Sequence, residues 1–165
     1  MRRLLIGILA ITLVSGCGGT DSAPAGEPEA EAPLLTVEAP EPLAVPEPME
    51  VSSEEDWEAR IHNKDIEIIG VLNVINPIAA YITEGFNQHG DHFSETLQEE
   101  WQDTQVQLTA ATTLYDDCNA RRAAGEFEKQ LFLDMEEVWQ ILVKTGVAGV
   151  RTQQMVNSEI RRMTR

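Results

Sequence analysis

The stretch LQEEWQDTQVQLTAATTLYDDC, residues 97–118, decides the fold class. Apolar and small side chains recur in it at alternating steps of four and three residues. They are Leu97, Trp101, Thr104, Leu108, Ala111, Tyr115 and Cys118. On an α-helix this spacing forms one continuous seam, which packs against neighbouring helices. The stretch therefore predicts an all-α protein held together by side-by-side helix packing.

A first helix is predicted upstream of this stretch. Ser52 and Ser53 precede three acidic residues, which is typical of a helix start with capping hydroxyls. Pro77 is expected to kink or split the helix. Residues 87–91 are predicted to form a loop, with Asp91 capping the next helix. The apolar positions of this first helix are Trp57, Ile61, Ile68, Leu72, Ile75, Ile78, Ile82 and Phe86.

A third helix is predicted after Gly125, which should end the second. Gly146 and Gly149 interrupt its apolar pattern, which resumes near the carboxyl end. We therefore expect residues 53–165 to form an antiparallel bundle of three long helices, the last one bent or broken into two. The apolar positions of this third helix are Phe127, Leu131, Met135, Val138, Leu142 and Thr145.

Composition separates this helical part from what precedes it. The chain has 165 residues and a formal charge of -16, which argues against binding a nucleic-acid backbone. Residues 18–50 contain eight acids, no base and seven of the eight prolines. So few large apolar side chains predict a disordered, acidic Pro-rich tether over residues 17–52. An alternative is that Pro40-Glu41-Pro42 and Pro46-Glu47-Pro48 dock in an aromatic groove.

The N-terminus has the pattern of an export signal. Arg2 and Arg3 precede an apolar run from Leu4 to Val14, which is shorter than the roughly 20 residues that span a bilayer. Val14-Ser15-Gly16-Cys17 follows. This segment resembles the lipobox of bacterial lipoproteins, which is an aliphatic residue, a small residue, Gly or Ala, then Cys.

The resemblance implies that residues 1–16 are a lipoprotein signal peptide and that Cys17 is the lipid-attachment residue. The protein would then be anchored in the bacterial cell envelope through a diacylglyceryl thioether and further acyl chains. Gly18, rather than Asp, follows the cysteine. In Gram-negative lipoproteins Asp favours retention at the inner membrane. The outer membrane, facing the periplasm, is therefore the expected location.

Cys118 is the one cysteine of the sequence besides Cys17. Its place on the apolar seam predicts a buried core residue, and a reactive or intermolecular thiol is the alternative. Residues 114–120 are weakly similar to the approach to the haem attachment of helical c-prime-type cytochromes. Arg121 and Arg122 stand where that motif has a second cysteine and a histidine, so we predict no haem.

Among the remaining polar residues, one cluster contains side chains that could bind a metal ion. Glu84, His89, Asp91 and His92 include the donor types that bind zinc, but their spacing matches no helix motif and a solvated loop explains them equally well. We predict no metal, no cofactor and no catalytic residue. The expected function is a membrane-anchored binding or scaffold module with an envelope protein partner and no nucleic acid. The alternative is a periplasmic carrier of haem or metal with a degenerate site.

Palmitate labelling tests the anchor. Cells expressing the full chain should incorporate labelled palmitate, and Cys17→Ala should abolish the label because it removes the thiol that forms the thioether. Cys118→Ala is the matched control and should leave labelling unchanged. Label retained by the Cys17 variant would contradict the lipobox interpretation.

Overall fold

The computed structural model describes residues 35–165, and within that range it contains three long α-helices and no strand. They are α1 (Trp57–His89), α2 (Glu95–Ala123) and α3 (Lys129–Met163), and a short 3-10 helix, Gly90–His92, joins α1 to α2. The side chain of Trp57 meets Phe132, while Gly85 lies against Val156, so α1 and α3 run parallel. The predicted bundle of three long helices, antiparallel in sequence order, is confirmed. The predicted signal peptide, Cys17 and the first half of the predicted tether lie outside the described residues.

The buried side chains form two apolar clusters, one towards each end of the bundle. We call the first the Cys118 cluster, because it surrounds that residue with side chains from all three helices, and the second the Trp101 cluster. The buried members of the Cys118 cluster are Ile61, Ile68, Leu72, Ile75, Ala111, Cys118, Leu131, Met135, Val138 and Leu142. Those of the Trp101 cluster are Leu35, Ile82, Phe93, Leu97, Trp101, Val156 and Ile160. Both clusters contain residues of the seam that the sequence predicts on α2.

Helix α1 runs unbroken through Pro77, contrary to the expected split. The lost backbone hydrogen bond is offset by packing on either side, where Ile75 lies against Gly146 and Ile78 against Gly149 of α3. The N-cap is Asp56 rather than Ser52 or Ser53, with its side chain accepting from the backbone of Ala59. By length and composition alone α1 could also cross a membrane, a criterion that core helices of soluble bundles meet as well.

Helix α3 is also continuous, so of the two expected forms, bent or broken into two, the break at Gly146 and Gly149 does not occur. An added Cβ at Gly146 would lie 3.3 Å from Ile75 Cγ1, and one at Gly149 would lie 3.4 Å from Ile78 Cγ2. These glycines therefore allow close approach of α1 and α3 instead of ending a helix. Phe127 lies before the start of α3 and is 37% exposed, so its predicted place on the helix is wrong.

The ends of α2 are fixed by specific contacts. Ser94, not the predicted Asp91, is the N-cap, and α1 continues to His89 through most of the expected loop. Both the amide and the hydroxyl of Ser94 donate to the carboxylate of Glu159 on α3, at 2.8 and 2.5 Å. After α2, Gly125 has a φ of 82°, a left-handed conformation that suits glycine and ends the helix as predicted.

Residues 35–52, which we call the strap, run back along the bundle without helix or strand structure. Leu35 is buried in the Trp101 cluster, whereas Ser52 donates to Asp56 at the start of α1. The prediction of a disordered tether over residues 17–52 is therefore wrong for residues 35–52. The strap docks with few buried apolar side chains, because its hydrogen bonds to α1 are made largely by its backbone.

Two asparagines of α1 hold the strap. The side-chain amide of Asn73 accepts from Leu43 N at 2.7 Å and donates to Leu43 O at 3.0 Å. Asn63 pairs in the same way with Met49, at 2.9 and 2.8 Å. An asparagine side chain carries the same donor and acceptor as a peptide group, so each one replaces a backbone partner for the strap.

We call the contacts of Asn73 and Asn63 the clamps. The two strap residues that they hold, Leu43 and Met49, occupy equivalent positions in a short sequence repeat. The sequence reads Pro40-Glu41-Pro42-Leu43 and then Pro46-Glu47-Pro48-Met49. Six residues make two turns of polyproline II, so equivalent residues of the repeat face the same way. Leu43 and Met49, which follow the two proline pairs, are therefore held on a helix of their own chain by asparagines. Docking of the proline pairs in an aromatic groove stays a prediction. His62 adds a third contact, with its Nε2 2.7 Å from Glu47 O.

Removing one clamp should loosen the strap locally. Asn73→Ala deletes two hydrogen bonds worth about 1–2 kcal/mol together, so exchange of the Leu43 amide should accelerate by about tenfold. Hydrogen-exchange NMR measures this rate, and Met49 should change less than Leu43. Asn87→Ala, at an exposed position of the same helix, is the control. Equal exchange of Leu43 in both variants would show that the clamp contributes nothing.

Candidate functional site

The most buried charge in the described residues is the carboxylate of Asp65 on α1. Its residue is 2% exposed, and Tyr115 Oη donates to Asp65 Oδ1 at 2.5 Å. Arg122 Nη1 lies 2.5 Å from Asp65 Oδ2. Burial, and then the Asp65 carboxylate, raises the pKa of the Tyr115 hydroxyl. The hydroxyl therefore stays protonated and acts as a permanent donor, which makes the trio a structural lock between α1 and α2 rather than an acid–base pair.

Cys118 lies in the core, as its place on the seam predicts. It is fully buried, and burial together with the Asp134 carboxylate raises the pKa of its thiol to about 11. At neutral pH the thiol is therefore protonated and is a poor nucleophile. Its chemistry in this fold is that of a small apolar side chain.

The residues around Cys118 do not fit a haem. Arg121, at the position of the second cysteine in the cytochrome motif, pairs with Asp134 at 2.6 Å. Arg122, at the histidine position, pairs with Asp65. The donor set lacks both a second thiol and an imidazole, and apolar side chains fill the space around the first thiol.

The His89–His92 turn lies at the junction of α1 and α2. Asp91 and His92 are exposed, the His89 ring lies 6.3 Å from that of Phe93, and Glu84 accepts from Gln88. In the described part of the chain no three side chains of the metal-binding types come together closely enough to hold an ion. Glu84 lies within α1 and the other three at the turn that follows, and the four residues do not form a metal-binding geometry.

An open cleft lies at the end of the bundle where α1 and α3 begin. Its volume is about 640 Å³. Because α1 and α3 are parallel, their first turns meet, and the end of the strap closes one side. The lining residues are Val51, Ser53, Glu54, Glu55, Trp57, Arg60, Lys129, Phe132 and Leu133. We call this the aromatic cleft.

The floor of the aromatic cleft consists of Trp57, Phe132 and Arg60, which we call the aromatic stack. The guanidinium of Arg60 lies 4.7 Å from the centre of the Trp57 ring and 4.6 Å from that of Phe132. Arg60 Nη1 also donates to Glu54 O at 2.9 Å. Val51 and Leu133 on the rim are each 45% exposed. The cleft thus combines fixed aromatic faces, a cation and exposed apolar side chains, which are enriched at protein interfaces.

A second apolar surface follows the seam between α1 and α3. Val143, Val147 and Val150 share one face of α3 by their spacing, and Val147 is 70% exposed. Val74 on α1, next to Ile75 in sequence, is 63% exposed, and Ile75 contacts Gly146 beside Val147. The four valines therefore line one groove, where apolar surface is available for contact.

The opposite end of the bundle is cationic on α3. Gln154, Asn157, Ser158, Arg161, Arg162 and Arg165 surround an open hollow of about 460 Å³. Arg162 is 70% exposed at its side chain and lies 3.6 Å from the buried Glu159. Three of the ten cationic residues after Cys17 thus lie within the last five positions of the chain.

Sequence reasoning missed the aromatic cleft and the buried acids. Asp65 had a detectable signal, because it falls four residues after Ile61 and three before Ile68 on the apolar face. The aromatic cleft had none, since Trp57 and Phe132 meet only through the parallel packing of two distant helices. The arginine hollow is lined by the end of α3 alone, at positions three and four residues apart, so its signal lies in the helical spacing of the sequence.

No protein-family model matches this sequence, no curated protein shows a significant match to it, and no solved structure matches its fold.

The Asp65 lock should be important for stability. Asp65→Ala leaves the Arg122 guanidinium without its partner and should lower the free energy of unfolding by about 3 kcal/mol. Tyr115→Phe removes one hydrogen bond and should cost about 1 kcal/mol. Urea denaturation measures both. Asp116→Ala, an exposed acid next to Tyr115, is the control and should change stability little. An Asp65→Ala effect no larger than that control would contradict the lock.

Proposed function

We propose that this protein is a lipid-anchored, non-catalytic binding or scaffold module of the bacterial cell envelope. Its acylated Cys17 holds it to the membrane, the outer membrane being the favoured site, and its helical bundle binds an envelope protein. The complete lipobox from Val14 to Cys17 supports the anchor. No reaction is proposed, because among the described residues the buried carboxylates of Asp65 and Glu159 link helices and the buried threonines donate to the backbone of their own helix.

The observation that carries the binding role is the aromatic cleft. The Trp57 and Phe132 rings contact each other and the Arg60 guanidinium packs on both, so the three side chains are held together by contacts within the bundle. Aromatic and arginine side chains in such a fixed arrangement dominate binding energy at many protein interfaces. The exposed Val51 and Leu133 on the rim extend the contact surface.

The cleft also lies where a partner can reach it. The strap enters the bundle at Leu35, in the Trp101 cluster, and the cleft lies at the other end, beside Trp57. A bundle tethered through residues 18–34 therefore presents the cleft at the end away from its point of attachment. Because the strap lies along α1, this geometry is a property of the folded bundle rather than of a flexible linker.

Site-specific photo-crosslinking in cells tests this proposal. A photoreactive residue at Leu133, on the cleft rim, should give one discrete adduct with an envelope protein. The same residue at Val106, a more exposed apolar position on α2, is the matched control and should give none. Trp57→Ala in the Leu133 background should abolish the adduct, because it removes one face of the stack.

Two outcomes would count against the proposal. An identical adduct pattern at Leu133 and Val106 would show that contact does not depend on the cleft. An adduct that persists with Trp57→Ala at full yield would show that the aromatic stack does not recognise the partner. Circular dichroism of each variant establishes that the helices are retained.

A further inference from the structure

The chain enters the bundle beside its cationic end. Leu35 is 4% exposed and packs in the Trp101 cluster together with Val156 and Ile160 of α3. Ile160 is followed directly by Arg161 and Arg162. The first described residue of the strap is therefore next to the last turns of α3, where the arginine hollow lies.

This seat is built into the packing. An added Cβ at Gly85 would lie 2.9 Å from Val156 Cγ1 and 3.3 Å from Leu35 Cδ1, so the glycine makes room for both side chains. The clamps at Asn73 and Asn63 then hold the following residues along α1. The strap thereby fixes which end of the bundle is connected to residues 18–34.

The connection from there to the lipid is short. The 17 residues from 18 to 34 reach at most about 60 Å when fully stretched, and their average span is less. Had the strap been free, the connection would have ended near residue 52 and at the opposite end of the bundle. Docking of the strap thus shortens the tether. It also places the arginine-bearing end of the bundle, rather than the end with the aromatic cleft, next to the anchor.

The charge of this end differs from that of the whole chain. The formal charge of the protein is -16, yet residues 152–165 contain three arginines and one acid. That acid, Glu159, is largely buried, accepts from Ser94 and lies 3.6 Å from the guanidinium of Arg162. Asp91 and Glu95 also belong to this end, on the other elements, so the cationic surface is confined to the last turns of α3.

We infer that the arginine-bearing end of α3 is the membrane-proximal face of the bundle and that it contacts the headgroups of anionic phospholipids. The inference rests on the proposed anchor at Cys17. Arginine forms paired hydrogen bonds with phosphate oxygens, and cationic residues close to an anionic leaflet are attracted to it. A strongly acidic protein would otherwise be repelled by such a surface, so these residues orient it with the acidic remainder facing away.

Energy transfer to the membrane tests the orientation. The acylated full chain carries a fluorophore at Thr164→Cys or, in a second sample, at Ala124→Cys, and the vesicles contain a headgroup acceptor dye. Cys118 is buried and is not expected to react with the label. Because α2 spans 29 residues, or about 44 Å, transfer from position 164 should exceed that from position 124 by about twofold or more.

The lipid dependence tests the arginines. Transfer from position 164 should rise when phosphatidylglycerol is added to phosphatidylethanolamine vesicles, and high salt should reverse the rise. The combined variant Arg161→Gln, Arg162→Gln and Arg165→Gln should lose this rise. Lys129→Gln, Lys144→Gln and Arg151→Gln together change the charge by the same amount elsewhere on α3 and should keep it.

Two measurements distinguish a failure of the inferred orientation from a failure of the proposed anchor at Cys17. Flotation of the wild-type chain with vesicles, lost in Cys17→Ala, shows that the anchor is in place. If the chain floats but transfer from positions 164 and 124 is equal, the orientation is wrong. If position 164 is closer but insensitive to phosphatidylglycerol, the arginines serve only the carboxyl end of the helix. A wild-type chain that fails to float overturns the anchor and the inference together.

Discussion

The close parallel packing of α1 on α3 is the constraint on which the rest of the structure depends. It is made possible by Gly146 and Gly149, which leave room for Ile75 and Ile78. At one end the same packing brings the first turns of the two helices together and forms the aromatic cleft. At the other end it places Val156 against Gly85 and creates the seat for Leu35. The aromatic cleft and the seat of the strap are therefore consequences of one helix–helix contact.

Polar links define how α2 is fitted to this pair. Asp65 holds Tyr115 and Arg122 near one end of α2, and Glu159 holds Ser94 at the other. Buried charges cost desolvation, so such links add less to stability than their short distances suggest. Their stronger effect is on specificity, since a sliding or reversed α2 would leave an acid unpaired among apolar side chains.

The helices could be predicted from the sequence because the apolar spacing around Leu97 to Cys118 is regular. Neither the split at Pro77 nor the break at Gly146 and Gly149 occurs, because tertiary contact at these positions outweighs local propensity. The strap was missed because composition describes what a segment can bury, whereas this one is held through its main chain. Asparagine at positions 63 and 73 gives no pattern that points to a proline-rich partner.

The strap has a mechanical consequence. If the chain is anchored at Cys17 and a partner is bound at the aromatic cleft, a pull between them would act along the length of the strap, because Leu35 and the cleft lie at opposite ends of the bundle. The attachments at Leu35, Leu43 and Met49 would then be loaded together, in shear, rather than one after another. Residues 35–52 reach about 55 Å at the polyproline II rise, and α1, along which they lie, is about 50 Å long, so releasing the strap would add little length. The docked strap would therefore transmit such a pull directly to the helices and keep the distance between membrane and partner nearly constant.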